Sequence, residues 1–421
     1  MPDQDTRLLA VGDIHLGRRR RAGQVPADLD RDDLGPRGAW RRTVDVALQI
    51  PVDGVLLAGD VVDSLNDRFE AFGALASGVR RLLDAGVRVL AVAGNHDGHA
   101  LPRLADLLPG FELLGRGGRW ESRVIDGPGG AVRVAGWSFP ADSHGASALA
   151  AWQPLERDLP TIGLLHCDLD ASGGRHAPTP RADLARAGCD RWLLGHVHRP
   201  SAADEPIGYL GSLVGLDPTE TGAHGPWLVT VADRRISRRL LPLAPLRWEA
   251  LEVDCTGLEE PAAGLVERVL ARIDRFRRDC ADELGEVEAL GLRLRLVGRC
   301  ARVQQLHRAA AALAAAVTFD DLAVFLDRVD VAVAPAHDLD ELARSDTPFG
   351  LLARRLCDLR DSRSPALLGR AAAALAAVDQ RFLGLEPGPA VAAATVEDLL
   401  QAGYRALDLL LDQQERGHAP R

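Results

Sequence analysis

Five short apolar runs in the first half of the chain each end on residues that a buried strand has no use for. LLAV (8–11) runs into GDIHLG, VLLA (55–58) into GDVVDS, and VRVLAVA (87–93) into GNHDG. TIGLL (161–165) ends on a histidine, and WLL (192–194) leads into GHVH. The polar groups so delivered are Asp13, His15, Asp60, Asn95, His96, Asp97, His166, His196 and His198. Two more runs, VRVAGW (132–137) and WLVTV (227–231), and helical patterns at Trp40–Gln49 and Phe69–Ala85 complete the region. Buried strands alternating with helices predict a layered α/β domain. In an open α/β sheet the carboxyl ends of the strands lie along one edge, where such folds build their sites.

The spacing sharpens that expectation. Asp13 with His15, and His196 with His198, stand two apart, so on extended backbone each pair points the same way. Adjacent glycines let the chain turn sharply and leave room for an ion. Nine of the twelve histidines precede residue 225. A lone Gly-Asp or a lone histidine is an ordinary strand end, but five such motifs in this order read as a ligand set. Seven candidates (Asp13, His15, Asp60, Asn95, His166, His196 and His198) divide between two ions with one carboxylate shared. Mixed nitrogen and oxygen donors suit Mn(II), Fe(II), Zn(II) or Co(II) better than Ca(II) or Mg(II).

Composition removes several alternatives. The chain of 421 residues is 47% hydrophobic and 26% charged, a globular profile with room for two or three domains. No apolar stretch is long and clean enough for a bilayer span, and the first strand begins almost at Met1, so the expected location is cytoplasmic. Six scattered cysteines without C-x-x-C spacing read as reduced packing thiols. All 50 basic residues are arginine, so no lysine can serve as base or nucleophile. A net charge of −10 argues against non-specific coating of nucleic acid but leaves room for a local arginine groove.

Domain organisation follows the pattern changes. Residues 1–245 hold the strand-end motifs, and the basic, proline-containing stretch 234–247 reads as a linker. Residues 246–335 follow a strand–helix–strand–helix–strand order: a strand at 248–254, a helix from about Glu259 to Glu283, a strand at 292–297, a helix, and a strand at 323–335. That predicts a small α/β domain. From 336 to 421 only helical periodicity remains.

In order, D-x-H, G-D, G-N-H-D, a single histidine and G-H-x-H resemble the signature of the calcineurin-like metallophosphoesterases. The YLGS stretch (209–212), the strand from Glu220 to Val229 and the extra α/β domain resemble the DNA-repair exonuclease branch, the nuclease subunits of bacterial SbcCD-type complexes. The resemblance implies a layered β-sandwich core flanked by helices, a smaller α/β capping domain and a helical C-terminal region. It implies one divalent ion on Asp13, His15, Asp60 and His198 and a second on Asp60, Asn95, His166 and His196, with manganese the expected metal. His96 would face the scissile phosphate as proton donor, with Asp97 beside it as orienting acid. Asn95 and His96 are neighbours, so His96 reaches the phosphate only if the glycine-flanked loop curves over the site. The implied partners are DNA and an SMC-like coiled-coil ATPase, with a homodimer also open and no membrane. ATP dependence needs a second chain, because a P-loop requires a lysine.

There are departures. Asp63 stands where some members of the branch carry a histidine, and Cys167-Asp168 follows His166 where a small residue is commoner. His99 and His176 read as surface histidines. Eight arginines against four aspartates fill residues 18–42, beginning with Arg18–Arg21, and are either a solvated loop or a phosphate clamp. Arg234, Arg235, Arg238 and Arg239 read as linker decoration. Two other functions stay open: hydrolysis of a smaller phosphodiester or phosphomonoester, and a largely non-catalytic partner role.

Overall fold

The computed structural model describes residues 5–18, 25–26, 29–63, 68–313, 316–319, 322–336, 338–361 and 395–417, with isolated positions between 361 and 395. Arg19–Arg21 lie outside the described residues. The strand-end motifs sit on two sheets. Strands β1 (Thr6–Val11), β2 (Gly54–Ala58), β3 (Arg88–Val92) and β4 (Phe111–Leu113) run parallel in the first. The second holds β5 (Trp120–Ile125), β6 (Val132–Trp137), β7 (Thr161–His166), β8 (Arg191–Gly195) and β9 (Ile207–Tyr209) in that spatial order. Strands β10 (Trp227–Ala232) and β11 (Arg235–Leu240) extend the first sheet antiparallel beside β1, giving the order β11-β10-β1-β2-β3-β4.

Each inner strand is apolar on both faces because each face meets a different core. Leu8, Ala10, Leu56, Ala58, Leu90 and Val92 pack against Val132, Val134, Ile162, Leu164 and Leu193 of the other sheet. The alternate residues Leu9, Val11, Val55, Leu57, Val89 and Ala91 face the helices α1 (Pro36–Gln49), α2 (Arg68–Asp84) and α3 (Ala100–Asp106) through Trp40, Leu75 and Leu101. Behind the second sheet, Trp137, Leu165, Trp192 and Leu194 form a third layer with Leu184 of the short helix α4 (Arg181–Arg186). The fold is a β-sandwich flanked by helices.

The stretch 234–247 is not a linker. It supplies β11, joined to β10 by the two-residue turn Asp233–Arg234 with φ of 47° and 64°, the left-handed geometry that suits a tight hairpin. The inward alternation of Ile236, Arg238 and Leu240 was hidden by the arginines. Arg238 is 5% exposed, stacks 4.4 Å over the Trp227 ring and donates to the Ala202 carbonyl at 2.8 Å. Burial lowers its pKa to about 10.

Further strands β12 (Leu246–Asp254), β13 (Ala289–Val297), β15 (Ala316–Phe319) and β16 (Leu322–Val331) form a sheet in the order β12-β13-β16-β15. A two-residue pair, β14 (Arg299–Cys300) with β17 (Ala334–Pro335), stands apart from it. The hairpin strand β15 had no place in the expected order, because its four residues directly follow an alanine-rich helical run. Helices α5 (Pro261–Asp279), α6 (Ala281–Leu284) and α7 (Val303–Ala311) complete this α/β region. Then come α8 (Leu339–Leu342), α9 (Pro348–Arg360) and α10 (Val396–Gly417). Contact density divides the chain into two units: residues 1–250 with 280–293 and 315–327, and residues 251–279 with 294–314 and 328–421. In the second, Leu356 of α9 packs with Leu407 of α10, and Gly403 allows the approach, since a Cβ there would lie 2.2 Å from Leu356 Cδ2. Among the described residues no helix is long and apolar enough to cross a membrane.

Candidate metal centre

The nine polar residues at the strand ends meet where the carboxyl ends of β1, β2 and β3 face those of β7 and β8. The expected single edge of an open sheet is replaced by the facing edges of two sheets. The convergence also does not come from extended backbone. Asp13, His15, Asp60 and His196 have φ of 33°, 52°, 48° and 106°, so among the described residues four of the eight non-glycine positions with positive φ are candidate ligands. Conformations of this kind cost about 1–3 kcal/mol each and cluster where a site demands them. Glycines clear the space between: a Cβ on Gly94 would stand 2.2 Å from Asp60 Oδ1, and one on Gly195 would stand 2.7 Å from His166 Nδ1.

Among the described residues three constellations share this space, and one of them, His15 with Asp63 and His96, has His15 in common with a second. Asp13, His15 and His198 form that second one, with the Nε2 atoms of the two histidines 3.1 Å apart. Two imidazoles on one cation place their nitrogens at about that separation. Asp13, Asp60 and His166 form the third, and Asn95 Oδ1 joins it 3.0 Å from His166 Nε2. Asp60 Oδ2 lies 3.7 Å from His15 Nε2 and 3.5 Å from His166 Nε2, between a histidine of each of the two groups that share Asp13. His196 stands at the margin: its backbone N–H donates to Asp13 Oδ1 at 3.0 Å, and its ring centroid is 5.2 Å from that of His166.

Each inner histidine is turned by an acceptor on Nδ1. Asp63 Oδ1 holds His15 at 2.8 Å, Glu220 Oε1 holds His198 at 2.7 Å, and the Ala58 carbonyl holds His166 at 3.1 Å. That leaves all three Nε2 atoms free to coordinate, the arrangement that fixes tautomer and basicity in metal sites. Burial lowers the pKa of His15 and His166, and drives His196 to about 4, so these rings are neutral and able to bind a cation. Burial also raises Asp13 well above the usual carboxylate range, and the neighbouring Asp60 adds to it. Asp60 is pulled down against its burial by His166 and His15. Two buried carboxylates face each other here, surrounded by imidazoles and backbone amides. Divalent cations fit that donor set.

His96 and Asp97 part company. His96 is exposed, with its ring centroid 4.9 Å from His15 and Nδ1 3.0 Å from the Asp63 carbonyl. The turn after Gly94 does curve, because the His96 N–H reaches Asp60 Oδ1 at 2.9 Å. Asp97 is not beside the His96 ring. Its buried carboxylate accepts from the Gly94 and Val61 N–H groups, both at 2.7 Å, and from Val62 N–H at 3.3 Å. It staples two loops together, while burial and the nearby Asp60 carboxylate raise its pKa to about 8 against those amides. Among the described residues, the acid that pairs with the His96 ring is Asp63, with Oδ1 3.7 Å from Nδ1. Sequence spacing missed this because Asp63 belongs to a different strand end.

His99 is exposed as expected. His176 is not a lone surface histidine, since its ring centroid is 4.9 Å from that of His196. A backbone zipper sets it there: Asp168 N–H donates to the His176 carbonyl at 2.8 Å. Cys167 is fully buried in the layer behind the second sheet, and burial pushes its thiol up, as a packing thiol requires.

Residues 6–200 match the family model of the calcineurin-like phosphoesterases. This part of the chain is a calcineurin-like phosphoesterase domain. Curated relatives agree. The chain is 29% identical to the uncharacterized metallophosphoesterase YhaO of Bacillus subtilis, over 51% of this chain and 54% of that one. It is 29% identical to the DNA double-strand break repair protein Mre11 of Haloferax volcanii, over 68% of this chain and 62% of that one. It is 25% identical to a component of the nuclease SbcCD of Rhodobacter capsulatus, over 64% of this chain and 76% of that one. These similarities support the DNA-repair branch of the family. The chain spans 54% and 62% of the lengths of YhaO and Mre11.

Glu220 gives the phosphoesterase domain a first test. Its Oε1 holds His198, and its Oε2 accepts the Leu216 N–H at 2.7 Å, so it ties the ligand to the loop that follows. Glu220→Ala should weaken Mn(II) binding by about 10- to 100-fold, measured by titration calorimetry. Unchanged affinity would remove Glu220 from the site.

Proposed function

We propose that this chain is a two-metal phosphodiesterase acting on DNA, the nuclease subunit of a repair-type complex. The observation that carries the reading is the position of Asp60 Oδ2 between the His15 and His166 Nε2 atoms, which suits a bridging carboxylate. Asp13, His15, Asp60 and His198 would hold one ion, and Asp60, Asn95, His166 and His196 the other. Two divalent ions there would polarise a phosphodiester, stabilise its developing charge and activate water near neutral pH. Manganese is the expected metal, with iron, zinc and cobalt compatible with the same donors.

The protein's own groups supply the rest. Asp63, Glu220 and the Ala58 carbonyl orient the imidazoles, and Asp97 ties the turn bearing Asn95 and His96 to the loop after β2. His96, outside the ligand set and exposed, is the proton donor to the leaving oxygen. The Asp63 carbonyl accepts from its Nδ1, which leaves Nε2 for substrate. DNA as substrate is supported by relatives named for DNA double-strand break repair and as part of a nuclease. We take residues 246–335 as a capping domain and 336–421 as the helical region where a coiled-coil ATPase docks. Any ATP hydrolysis belongs to that partner, because this chain has no lysine for a P-loop.

Incubation of the purified chain with Mn(II) on single- and double-stranded DNA, beside bis-p-nitrophenyl phosphate, tests the reading. Cleavage of all three supports it. Hydrolysis of the chromogenic diester alone would favour a small substrate, and two bound ions with no turnover a non-catalytic role.

Arg18, Arg31 and Arg37 line a cavity of about 190 Å³ with Leu16 and Gly17, directly after His15. Arginine forks match phosphate oxygens, so this cavity is the place for the DNA backbone. Changing the three to alanine should weaken DNA binding and flatten its salt dependence by up to about three charges. Chromogenic diester hydrolysis should hardly change. An unaltered salt slope would return these arginines to the solvated surface.

A further inference from the structure

We infer that the phosphoesterase domain has a second binding site, a pocket that takes one unstacked nucleobase of a single strand, on the outer face of the five-stranded sheet. It rests on the nuclease reading for its occupant, the strand that the metal centre cleaves. The pocket is a cavity of about 330 Å³ whose lining includes Arg119, Trp120, Glu121, Ser122, Trp152 and Gln153. That is at the small end of ligand-sized cavities.

Its wall is aromatic and rigid. Trp120 and Trp152 meet edge to face at 4.5 Å and 87°, and Trp192 backs both at 5.9 Å and 5.8 Å. All three indole N–H groups are already donated, to the carbonyls of Ala148 (2.9 Å), Ala187 (3.1 Å) and Leu184 (3.0 Å). The rings are therefore locked in orientation and offer π-faces and edges, not hydrogen bonds. Trp192 is 1% exposed and is core, whereas Trp120 and Trp152 are only partly buried where the cavity opens. The chain is poor in aromatics, at 4%, yet three of its seven tryptophans meet here.

The rim is polar and mixed. The Arg119 guanidinium is exposed, donates to the Arg116 carbonyl at 3.4 Å and, among the described residues, pairs with no carboxylate. Gln153 and Ser122 add an amide and a hydroxyl. A flat apolar wall with both donors and acceptors at its edge suits a base, which has a π-face and a hydrogen-bonding edge. The register places the pocket in reach of the same strand. Trp120 pairs with Trp137, Trp137 with Leu165 and Leu165 with Leu194, one row before His166 and Gly195. Two strand spacings separate Trp120 from β7, roughly 10 Å across the sheet. About three stacked nucleotide steps cover that in-plane distance. The strand must also pass round the sheet edge, because the tryptophan row faces the layer behind the sheet whereas His166 reaches the Ala58 carbonyl of the other sheet.

The test compares two nuclease-resistant phosphorothioate 12-mers of equal charge, an oligothymidylate and its abasic counterpart, bound to the full chain and followed by fluorescence anisotropy. The wild-type chain should prefer the base-bearing strand by about five- to a hundred-fold. Trp152→Ala should bring the two affinities to within about twofold by weakening only the base-bearing one. Ser122→Leu, which fills the cavity and leaves the tryptophans in place, should do the same, and both variants should hydrolyse the chromogenic diester at the wild-type rate. No base preference in the wild type, or a preference that survives in a folded variant of either kind, overturns the pocket. Saturation-transfer NMR with deoxyadenosine separates the two readings. Contact with tryptophan protons in a chain that does not cleave DNA keeps the pocket and removes the nuclease. Mn(II)-dependent DNA cleavage with no base preference does the reverse.

Discussion

Asp60→Ala should empty the centre of both proposed ions, while His15→Ala should empty only one side. Asp60 Oδ2 sits within 3.7 Å of His15 Nε2 and 3.5 Å of His166 Nε2, between one histidine of each constellation, while Asp13 belongs to both. Removing it also leaves Asp13 as the single carboxylate among the candidate ligands, which halves the negative charge that draws cations in. His15 groups with Asp13 and His198, and also with Asp63 and His96, but not with His166. Elemental analysis after dialysis should give about two ions per wild-type chain, about one for His15→Ala and close to none for Asp60→Ala. Asp60 also accepts the His96 N–H at 2.9 Å, so a collapsed turn could mimic lost coordination. Asp60→Asn keeps an acceptor for that N–H but no charge, and it should lose metal nearly as completely. Equal losses in Asp60→Ala and His15→Ala would remove the bridge.

How much of this is legible in the sequence depends on whether the signal is local. The seven runs read as strands are all strands, because residues such as Leu8–Val11 are buried on both faces and leave an unbroken apolar word. Strands that the pattern does not reveal, among them β4, β5, β9, β11 and β15, are short or polar on one face. Each pairs with a strand adjacent in sequence, so what hides them is the lack of an apolar run and not distance along the chain. Trp120–Ile125 has no apolar run at all, yet it pairs with β6 along its whole length. The gathering of the motif residues is readable from order alone. Their posture is not: positive φ at Asp13 and His15 is imposed by contacts such as the His15 N–H donated to the Asp60 carbonyl at 2.9 Å. The orienting groups are the least visible. Asp63 and Glu220 act across gaps of 48 and 22 residues, and nothing near His15 or His198 in sequence announces them. Asp97 misleads for the opposite reason, since it adjoins His96 in the chain but turns its carboxylate to the backbone of the loop after β2.

On the two-metal reading, His96 would decide whether the centre moves a proton as well as holding metal. Its ring is exposed and, although it groups with His15 and Asp63, lies outside the two constellations that share Asp13, so losing it takes no donor from those two. It is nonetheless next to them, 4.9 Å from the His15 ring, with Nδ1 on the Asp63 carbonyl. A side chain so placed can reach a phosphate bound at the centre without competing for the cations. His96→Asn should therefore keep both ions and the fold, while turnover on DNA falls by about 100- to 10,000-fold, the usual contribution of a general acid. The backbone bond from residue 96 to Asp60 survives the substitution, so the turn that carries Asn95 stays in place. The alkoxide leaving a DNA strand needs a proton, whereas nitrophenolate scarcely does, so bis-p-nitrophenyl phosphate should lose far less rate. A damaged metal centre would slow both substrates alike, so the ratio of the two losses identifies the role. Full activity on DNA, or loss of metal, in the His96→Asn chain would show that His96 is not the proton donor.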